Sequence, residues 1–314
     1  MRIFWPSIAF AGAVLLAGCA GVPVETLRTY SDAFLQARDA GDLLYDEISP
    51  IVSGKTVSKQ TCGTSALGYP QCFNPRTALG TSNTRRNEDP SIKARRDALA
   101  TVALYNSMLV DLAEGKSAEA FTARIDTLAS LAGAVAALGV IPSGGLSALI
   151  VPGAAYASQM ASRFETARAN GLVRQSILDS KGDIQELLAA LADDTPQIYR
   201  VFLAAREKDL VAINFDRNAA RLAKNEAAQA RAQKRYQATL DSITQFHEAL
   251  TAYVQLLDRT SQALDSLVAA AAQEPGTAAS LTLLAREAAD IRAKSEAFWE
   301  TIRDVRMSAS TAGG

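Results

Sequence analysis

The residue types that most often carry chemistry are sparse in this chain. It contains one histidine, His247, and three cysteines, Cys19, Cys62 and Cys72. A zinc site needs several His, Cys or carboxylate ligands at matched spacings, and these residues are scattered. His247 also falls at a core-type position of a helical stripe, where a single polar residue commonly sets the register of packed helices. The pattern therefore predicts neither a metal site nor catalysis by histidine.

A second candidate is a phosphate-binding loop, because residues 53–56 read Ser-Gly-Lys-Thr. The complete motif needs a glycine five residues before Gly54, where Ser49 stands. It also needs a preceding strand, where the sequence predicts a helix. We therefore interpret the segment as a polar helix end.

Three aspartates, Asp183, Asp193 and Asp194, offer paired carboxylates for acid–base work. They lie beside Gly182 and the Thr-Pro pair at 195–196, where acidic residues favour helix starts through the helix dipole. The sequence lacks G-x-S-x-G, S-x-x-K and C-x-x-C, the motifs of familiar nucleophilic enzymes. We expect no enzyme activity and no cofactor.

The N-terminus has the layout of a secretory signal, with Arg2 before an apolar stretch over residues 3–16. That stretch is shorter than the about 20 residues that span a bilayer. The following Leu-Ala-Gly-Cys, ending at Cys19, resembles the lipobox of bacterial lipoproteins. The resemblance implies a signal peptide over residues 1–18 and acyl chains, palmitate among them, on Cys19. Ala20, where an aspartate would favour the inner membrane, implies the outer membrane, facing the periplasm.

Cys62 and Cys72 remain as an even pair in what would be an oxidising compartment. The nine residues between them include Gly68 and Pro70, so this segment is able to turn back on itself. We expect a disulfide that closes a loop within an irregular segment over residues 53–88. The alternative is two free buried thiols.

Composition favours an all-helical protein that does not bind nucleic acid. The net charge is −1, and aromatic residues make up only 6% of the chain. Long runs lack both glycine and proline, which is typical of helices. A mixed group of charges at Arg85, Arg86, Lys93, Arg95 and Arg96 is interpreted as a solvated face rather than a binding patch.

Apolar residues repeat in steps of three and four along several segments, which is the spacing of a helix that packs along its length. Residues 23–51 form the first such helix, and Asp89 is predicted to cap a second that begins at Pro90. Residues 197–274 contain neither glycine nor proline, so they form either one helix of about 117 Å or two joined by an unmarked turn within 217–235. The stripe there runs Tyr236, Leu240, Ile243, His247, Leu250, Val254 and Leu257. A last stripe, from Leu281 to Val305, predicts an antiparallel partner helix.

One segment, residues 127–162, carries no charged residue over 36 positions. It predicts an apolar hairpin that is either the core of the bundle, a membrane-inserting segment or a partner-binding surface. Long helices around an apolar hairpin are similar in layout to helical pore-forming toxins such as cytolysin A. The apolar positions that define it are Leu128, Val135, Leu138, Val140, Ile141, Leu146, Leu149, Ile150 and Val151.

These features together predict a single domain over residues 19–314, an elongated up-and-down helical bundle with long coiled-coil-like helices. The expected function is that of a lipid-anchored structural or interaction protein of the cell envelope. Its partners would be the membrane, through the acyl chains, and an envelope protein or a copy of itself. The alternative is a membrane-active protein that uses the apolar hairpin.

Overall fold

The computed structural model describes residues 24–52, 89–113, 124–128, 130–131, 159, 162–163, 166, 173–271 and 278–313. These parts of the chain are helical and contain no strand, so the predicted all-α class is confirmed. The longer helices are α1 (Val24–Val52), α2 (Pro90–Ala113), α3 (Val173–Asp179), α4 (Lys181–Asp193), α5 (Thr195–Leu222), α6 (Glu226–Ala271) and α7 (Ala278–Gly313).

Helix α6 is the axis around which the bundle forms. Its 46 residues correspond to about 69 Å of helix, and α1, α2, α4, α5 and α7 all pack against it. The predicted elongated bundle follows from this length, because the shorter helices cover different parts of α6. The buried side chains of the helices merge into one hydrophobic core.

The first helix has the apolar stripe that its sequence predicts. Tyr30, Phe34, Leu44 and Ile48 are buried, on the face expected from steps of three and four. Tyr45 is buried as well, because α1 packs against α2 on one side and α7 on another. A broader part of the helix surface than one stripe is therefore covered.

The two alternatives for residues 197–274 are resolved in favour of a turn. Helix α5 ends at Leu222 and α6 begins at Glu226. Between them Lys224 has a φ of 51°, a left-handed conformation that commonly ends helices. Asn225 then caps α6, since its side-chain oxygen accepts a hydrogen bond from the Ala228 amide at 3.0 Å. Helices α5 and α6 therefore form an antiparallel hairpin.

The predicted antiparallel pairing of α6 with α7 is confirmed. Arg259 forms an ion pair with Asp290 at 3.3 Å, and the Tyr253 and Phe298 rings lie 5.7 Å apart, so residue numbers rise along one helix as they fall along the other. The predicted stripe of α7 is buried: Leu284, Ala288, Ile291, Ser295, Phe298, Ile302 and Val305.

The prediction that His247 occupies a core position of its helix is wrong. Its side chain is exposed, and the preceding residue, Phe246, is fully buried instead. Leu250 and Leu257 of the predicted stripe are buried, but the centre of the buried face lies on neighbouring positions, several of them polar or small. They keep the step of three and four: Thr239, Ser242, Phe246, Ala249, Tyr253, Leu256, Thr260, Ala263 and Leu267.

Several predicted features lie outside the described residues. These are the signal peptide with Cys19, the segment 53–88 with Cys62 and Cys72, and most of the uncharged hairpin, including Val135, Leu138, Val140, Ile141, Leu146, Leu149, Ile150 and Val151. Leu128, at the start of the hairpin, is described, and it is fully buried in the hydrophobic core. Among the described residues, no helix is long and apolar enough to cross a membrane.

Candidate functional surface and the buried ion pair

The centre of the bundle contains a buried ion pair between Arg95 of α2 and Asp194. Neither side chain has more than 1% of its surface exposed. The guanidinium donates two hydrogen bonds to the carboxylate, one from Nε to Oδ2 and one from Nη2 to Oδ1 at 2.8 Å. A third, from Nη1, goes to the Ser91 carbonyl at 2.7 Å. The fork geometry of arginine suits this two-pronged contact.

Local structure fixes both partners of the pair. Asp194 is the single residue between α4 and α5, and its backbone carbonyl accepts the first bonds of α5. Asp194 stands at the start of α5, as the sequence predicts, but its side chain makes no helix-capping hydrogen bond and binds Arg95 instead. Arg95 lies six residues after Asp89, whose Oδ1 accepts a hydrogen bond from the Ser91 amide at 2.9 Å. That bond confirms the predicted cap of α2.

The interpretation of the basic cluster as a solvated face is wrong for Arg95, which is fully buried. Its neighbour Arg96 is partly exposed and forms ion pairs with Asp42 at 2.9 Å and Asp46 at 2.6 Å on α1. Lys93 is exposed and pairs with Asp97 on its own helix. Adjacent basic residues on α2 thus have three different environments, which their order in the sequence does not reveal.

A pair of tyrosines lies near the ion pair. The hydroxyls of Tyr45 and Tyr253 share a hydrogen bond of 2.8 Å, and their rings meet edge to face at 6.2 Å. Helix α1 approaches closely here because Gly41 lacks a side chain: a Cβ at this position would lie 2.7 Å from Leu99 Cδ1 and 3.2 Å from Tyr253 Cε2.

The chemistry of this centre is that of a structural contact. Burial raises the pKa of both Tyr45 and Tyr253 above the ordinary value of 10.0, so both phenols stay neutral at physiological pH. Ser91, Tyr45 and Asp194 are buried, so the described residues of this centre present no open face to a substrate. A buried charge pair with this degree of hydrogen bonding holds α2 against the α4–α5 junction.

The other predicted carboxylate candidates do not form a paired site. Asp183 pairs with Arg163 at 2.8 Å, and burial raises its pKa, which the guanidinium partly offsets. Asp193 is exposed, whereas its neighbour Asp194 is buried. Within the described residues no group of three or more His, Cys, Asp or Glu side chains is placed to hold a metal ion.

The outer surface of α5 has a different character. Val211, Phe215 and Leu222 are 70%, 77% and 80% exposed. They are separated by four and seven residues, so they lie on one face of the helix. The opposite face, with Ile213 and Ala220, is buried against α6. We call the outward face, with Val211, Phe215 and Leu222, the exposed stripe.

The tip of the α5–α6 hairpin is basic. Between positions 217 and 235 six side chains are basic and one, Glu226, is acidic. Asp216, just before this segment, is paired with Arg235 at 3.1 Å. The remaining positive charge extends along the tip beside the exposed stripe. A groove of about 650 Å³ at the tip is lined by Arg217, Arg221 and Glu226 together with amide side chains.

The hairpin tip and the N-terminal end of α1 lie at opposite ends of the bundle. The Tyr30 hydroxyl donates to the Thr260 carbonyl at 3.3 Å, whereas Tyr45, further along α1, meets Tyr253. Helices α1 and α6 are therefore antiparallel, and the C-terminal part of α1 lies nearer to Glu226 than its N-terminal part does. The distance along α6 from Thr260 to Glu226 is about 51 Å.

Comparison with protein-family models, with curated proteins and with solved structures finds no match to this chain. The exposed stripe is not among the features predicted above, although the sequence carries its signal: apolar residues at helical spacing in a segment that is otherwise charged or rich in alanine.

Proposed function

We propose that the protein is a lipid-anchored structural or interaction protein of the cell envelope, which presents the outer face of α5 to a protein partner. The observation that carries this proposal is the exposed stripe. Isolated apolar side chains are common on protein surfaces, but an aligned set on one helix face is typical of a protein contact. The α5–α6 hairpin also favours binding to a partner, because its tip lies at the end of the bundle opposite the start of α1.

The bundle is suited to holding this surface away from an anchored end. The lipobox-like sequence at Cys19 precedes α1 by only a few residues, and α1 begins at the end of the bundle opposite the hairpin tip. An acyl anchor at Cys19 would leave the exposed stripe free of the lipid. Several acyl chains, each contributing about 0.8 kcal/mol per buried methylene, provide a firm attachment.

The buried centre supports an interaction protein rather than an enzyme. Its polar groups are hydrogen-bonded to one another and enclosed, so they stabilise the bundle. The open grooves of the described residues are lined by ordinary surface side chains, as in the groove with Arg259, Leu283 and Asp290.

Attachment and partner binding are tested separately. The Cys19→Ser variant is expected to lose acylation and move from the membrane to the soluble fraction after cell fractionation. A photo-crosslinking amino acid, p-benzoylphenylalanine, at position 215 in whole cells is expected to give a discrete crosslinked product. The matched control carries the same amino acid at Glu248, an exposed position on α6.

Two results would contradict the proposal. If the Cys19→Ser variant stays in the membrane fraction, the lipid anchor is wrong. If position 215 gives no more crosslinked product than position 248, the outer face of α5 is not a contact surface.

A further inference from the structure

The outer face of α5 carries a longer regular pattern than the three residues of the exposed stripe. Positions 204, 208, 211, 215, 218 and 222 follow one another in steps of four and three, which is the spacing of a helix that packs against another helix. They are occupied by Ala204, Lys208, Val211, Phe215, Asn218 and Leu222, and all six are exposed. The face is therefore a complete packing stripe without a covering helix among the described residues.

Charged residues beside the stripe are arranged symmetrically. Glu207 and Arg221 lie 14 residues apart on the same flank, with Asn214 midway between them. Both charged side chains are exposed, and neither is in an ion pair with another described residue. A two-fold axis perpendicular to α5 near Asn214 would bring Glu207 of one copy to Arg221 of the other, twice.

From this self-complementarity we propose that the partner of the outer face of α5 is a second copy of this chain, bound in an antiparallel orientation. The proposal rests on the proposed function and names its partner. In this register, whose centre lies between Ile213 and Asn214, Val211 packs against Phe215 of the second copy, and Leu222 packs against Ala204. Lys208 meets Asn218, whose amide oxygen accepts a hydrogen bond from the ammonium group.

Charge selects the antiparallel orientation over the parallel one. A parallel pair would place Lys208 against Lys208 and the two basic hairpin tips side by side. In the antiparallel pair, Leu222 of one copy and Leu222 of the other are about 27 Å apart along the helix. That distance exceeds the Debye length of about 8 Å at physiological salt, so the positive tips no longer repel each other strongly.

The size of the contact predicts a weak dimer. One helix from each copy over about 27 Å gives an interface below the about 1,200 Å² of standard stable complexes. Anchoring on a membrane raises the effective concentration and favours such weak contacts. The N-terminal ends of α1 point away from each other in this dimer, so a pair of anchored copies either lies along one membrane or joins two facing membranes.

The orientation is tested by photo-crosslinking with full-length protein in liposomes. The protein carries p-benzoylphenylalanine at position 222, and ¹⁵N-labelled and unlabelled copies are mixed before reconstitution. Ultraviolet light is expected to join position 222 of one copy to residues around Ala204 of the other, seen by mass spectrometry as peptide pairs of mixed label. Within one chain these positions are about 27 Å apart, too far for a crosslink.

Charge reversal tests the register. Glu207→Arg and Arg221→Glu each place like charges together twice in a homodimer, and each is expected to lower crosslinking about fivefold. Mixing the two variants, one of them labelled, restores both ion pairs and is expected to restore mixed-label products to the level of the unmodified protein. The exposed Glu248→Arg variant is the matched control and should change nothing.

Each other outcome overturns a stated part of the proposal. Crosslinks from position 222 to position 222 would show a parallel pair, and failure of the mixed variants to recover would show that the register is wrong. Capture of a different envelope protein in cells would rule out self-association while the proposed function stands. If position 222 gives no mixed-label product in liposomes, self-association is wrong. If position 215 in cells also gives no product above that of position 248, the proposed function is wrong as well.

Discussion

The two halves of helix α5 differ in how far their aromatic side chains are buried. In the N-terminal half of α5, Phe202 is fully buried and stacks on Phe246 with ring centres 3.9 Å apart. Thirteen residues later Phe215 is 77% exposed. Among the described residues, α1, α4 and α6 pack against α5, and its second half has buried side chains only on the face toward α6. One continuous helix thus belongs to the core at one end and presents a surface at the other.

The largest expected difference is between these two phenylalanines. Phe202→Ala leaves a cavity beside Phe246 and is expected to lower the free energy of unfolding by about 3–5 kcal/mol. Phe215→Ala removes a ring that touches mainly water and is expected to change stability by less than about 0.5 kcal/mol. Chemical denaturation followed by far-ultraviolet circular dichroism measures both. A large loss in Phe215→Ala would mean that this ring is buried within a single chain.

The buried ion pair gives a second contrast, between core and surface charges on α2. Arg95→Met leaves the Asp194 carboxylate buried without its partner, so the free energy of unfolding should fall by about 3–5 kcal/mol. Adding Asp194→Leu removes the unpaired charge, and most of that loss should be recovered. Denaturation curves of the two single variants and the double variant form the test.

The neighbouring Arg96→Met variant is the control for this experiment. Arg96 is partly exposed in its ion pairs with Asp42 and Asp46, and exposed pairs contribute less than about 1 kcal/mol. If the Arg95→Met, Asp194→Leu double variant is no more stable than Arg95→Met alone, the loss comes from packing around the arginine stem and not from the buried charge.

Two glycines differ in their surroundings: Gly41 lies in a close-packed part of the bundle, and Gly182 lies where there is open space. Gly41→Ala places a methyl group against Leu99 and against Tyr253, whose hydroxyl is held by Tyr45. We expect a loss of about 1–3 kcal/mol, the usual effect of overpacking. Gly182→Ala is the control, because no atom lies within 4 Å of its Cβ position. That variant should be more stable by up to about 1 kcal/mol, since alanine favours helices.

Thermal denaturation of the two glycine variants measures these opposite changes in stability. Equal effects of the same sign would show that α1 moves away from α2 and α6 to accommodate the methyl group, and that the close approach at Gly41 is not required.

The sequence predicts those helices whose buried faces consist of large apolar residues. The stripes of α1 and α7 follow this rule, and Asp89 is recognisable as a cap from its position before Pro90. The buried stripe of α6 is harder to predict because it contains Thr239, Ser242 and Thr260. Their hydroxyls bond to carbonyls of their own helix at 2.7–2.9 Å, so burial leaves them satisfied, and the local pattern points to His247 instead.

The buried ion pair is hidden in the sequence for a different reason. Arg95 stands among other charged residues, and its partner Asp194 is 99 positions away, so local patterning does not connect them. The exposed stripe has a visible local pattern, but the pattern alone does not tell whether a helix covers it. The turn at Lys224 and the length of α6 determine that no other helix among the described residues covers this part of α5.

The smallest predicted effect concerns Glu287 on α7. Burial raises the pKa of its carboxyl above 4.5, although the Ser266 hydroxyl favours the charged form, and its Oε2 has no hydrogen-bond partner among the described residues. The folded state therefore holds the proton more tightly than the unfolded chain. This group's favourable contribution is present below the unfolded pKa and is lost as the pH rises through the folded pKa. Glu287→Gln should accordingly be more stable at pH 7 by less than about 1 kcal/mol.

The pH dependence separates this cause from a simple change in surface charge. The advantage of Glu287→Gln should shrink on acidification and vanish below about pH 4, where the wild-type carboxyl is protonated in both states. Glu296→Gln, at an exposed position of the same helix, removes the same charge without relieving a buried one. If the two variants gain equally at pH 7, the effect arises from net charge, and the partial burial of Glu287 against α6 has no part in it.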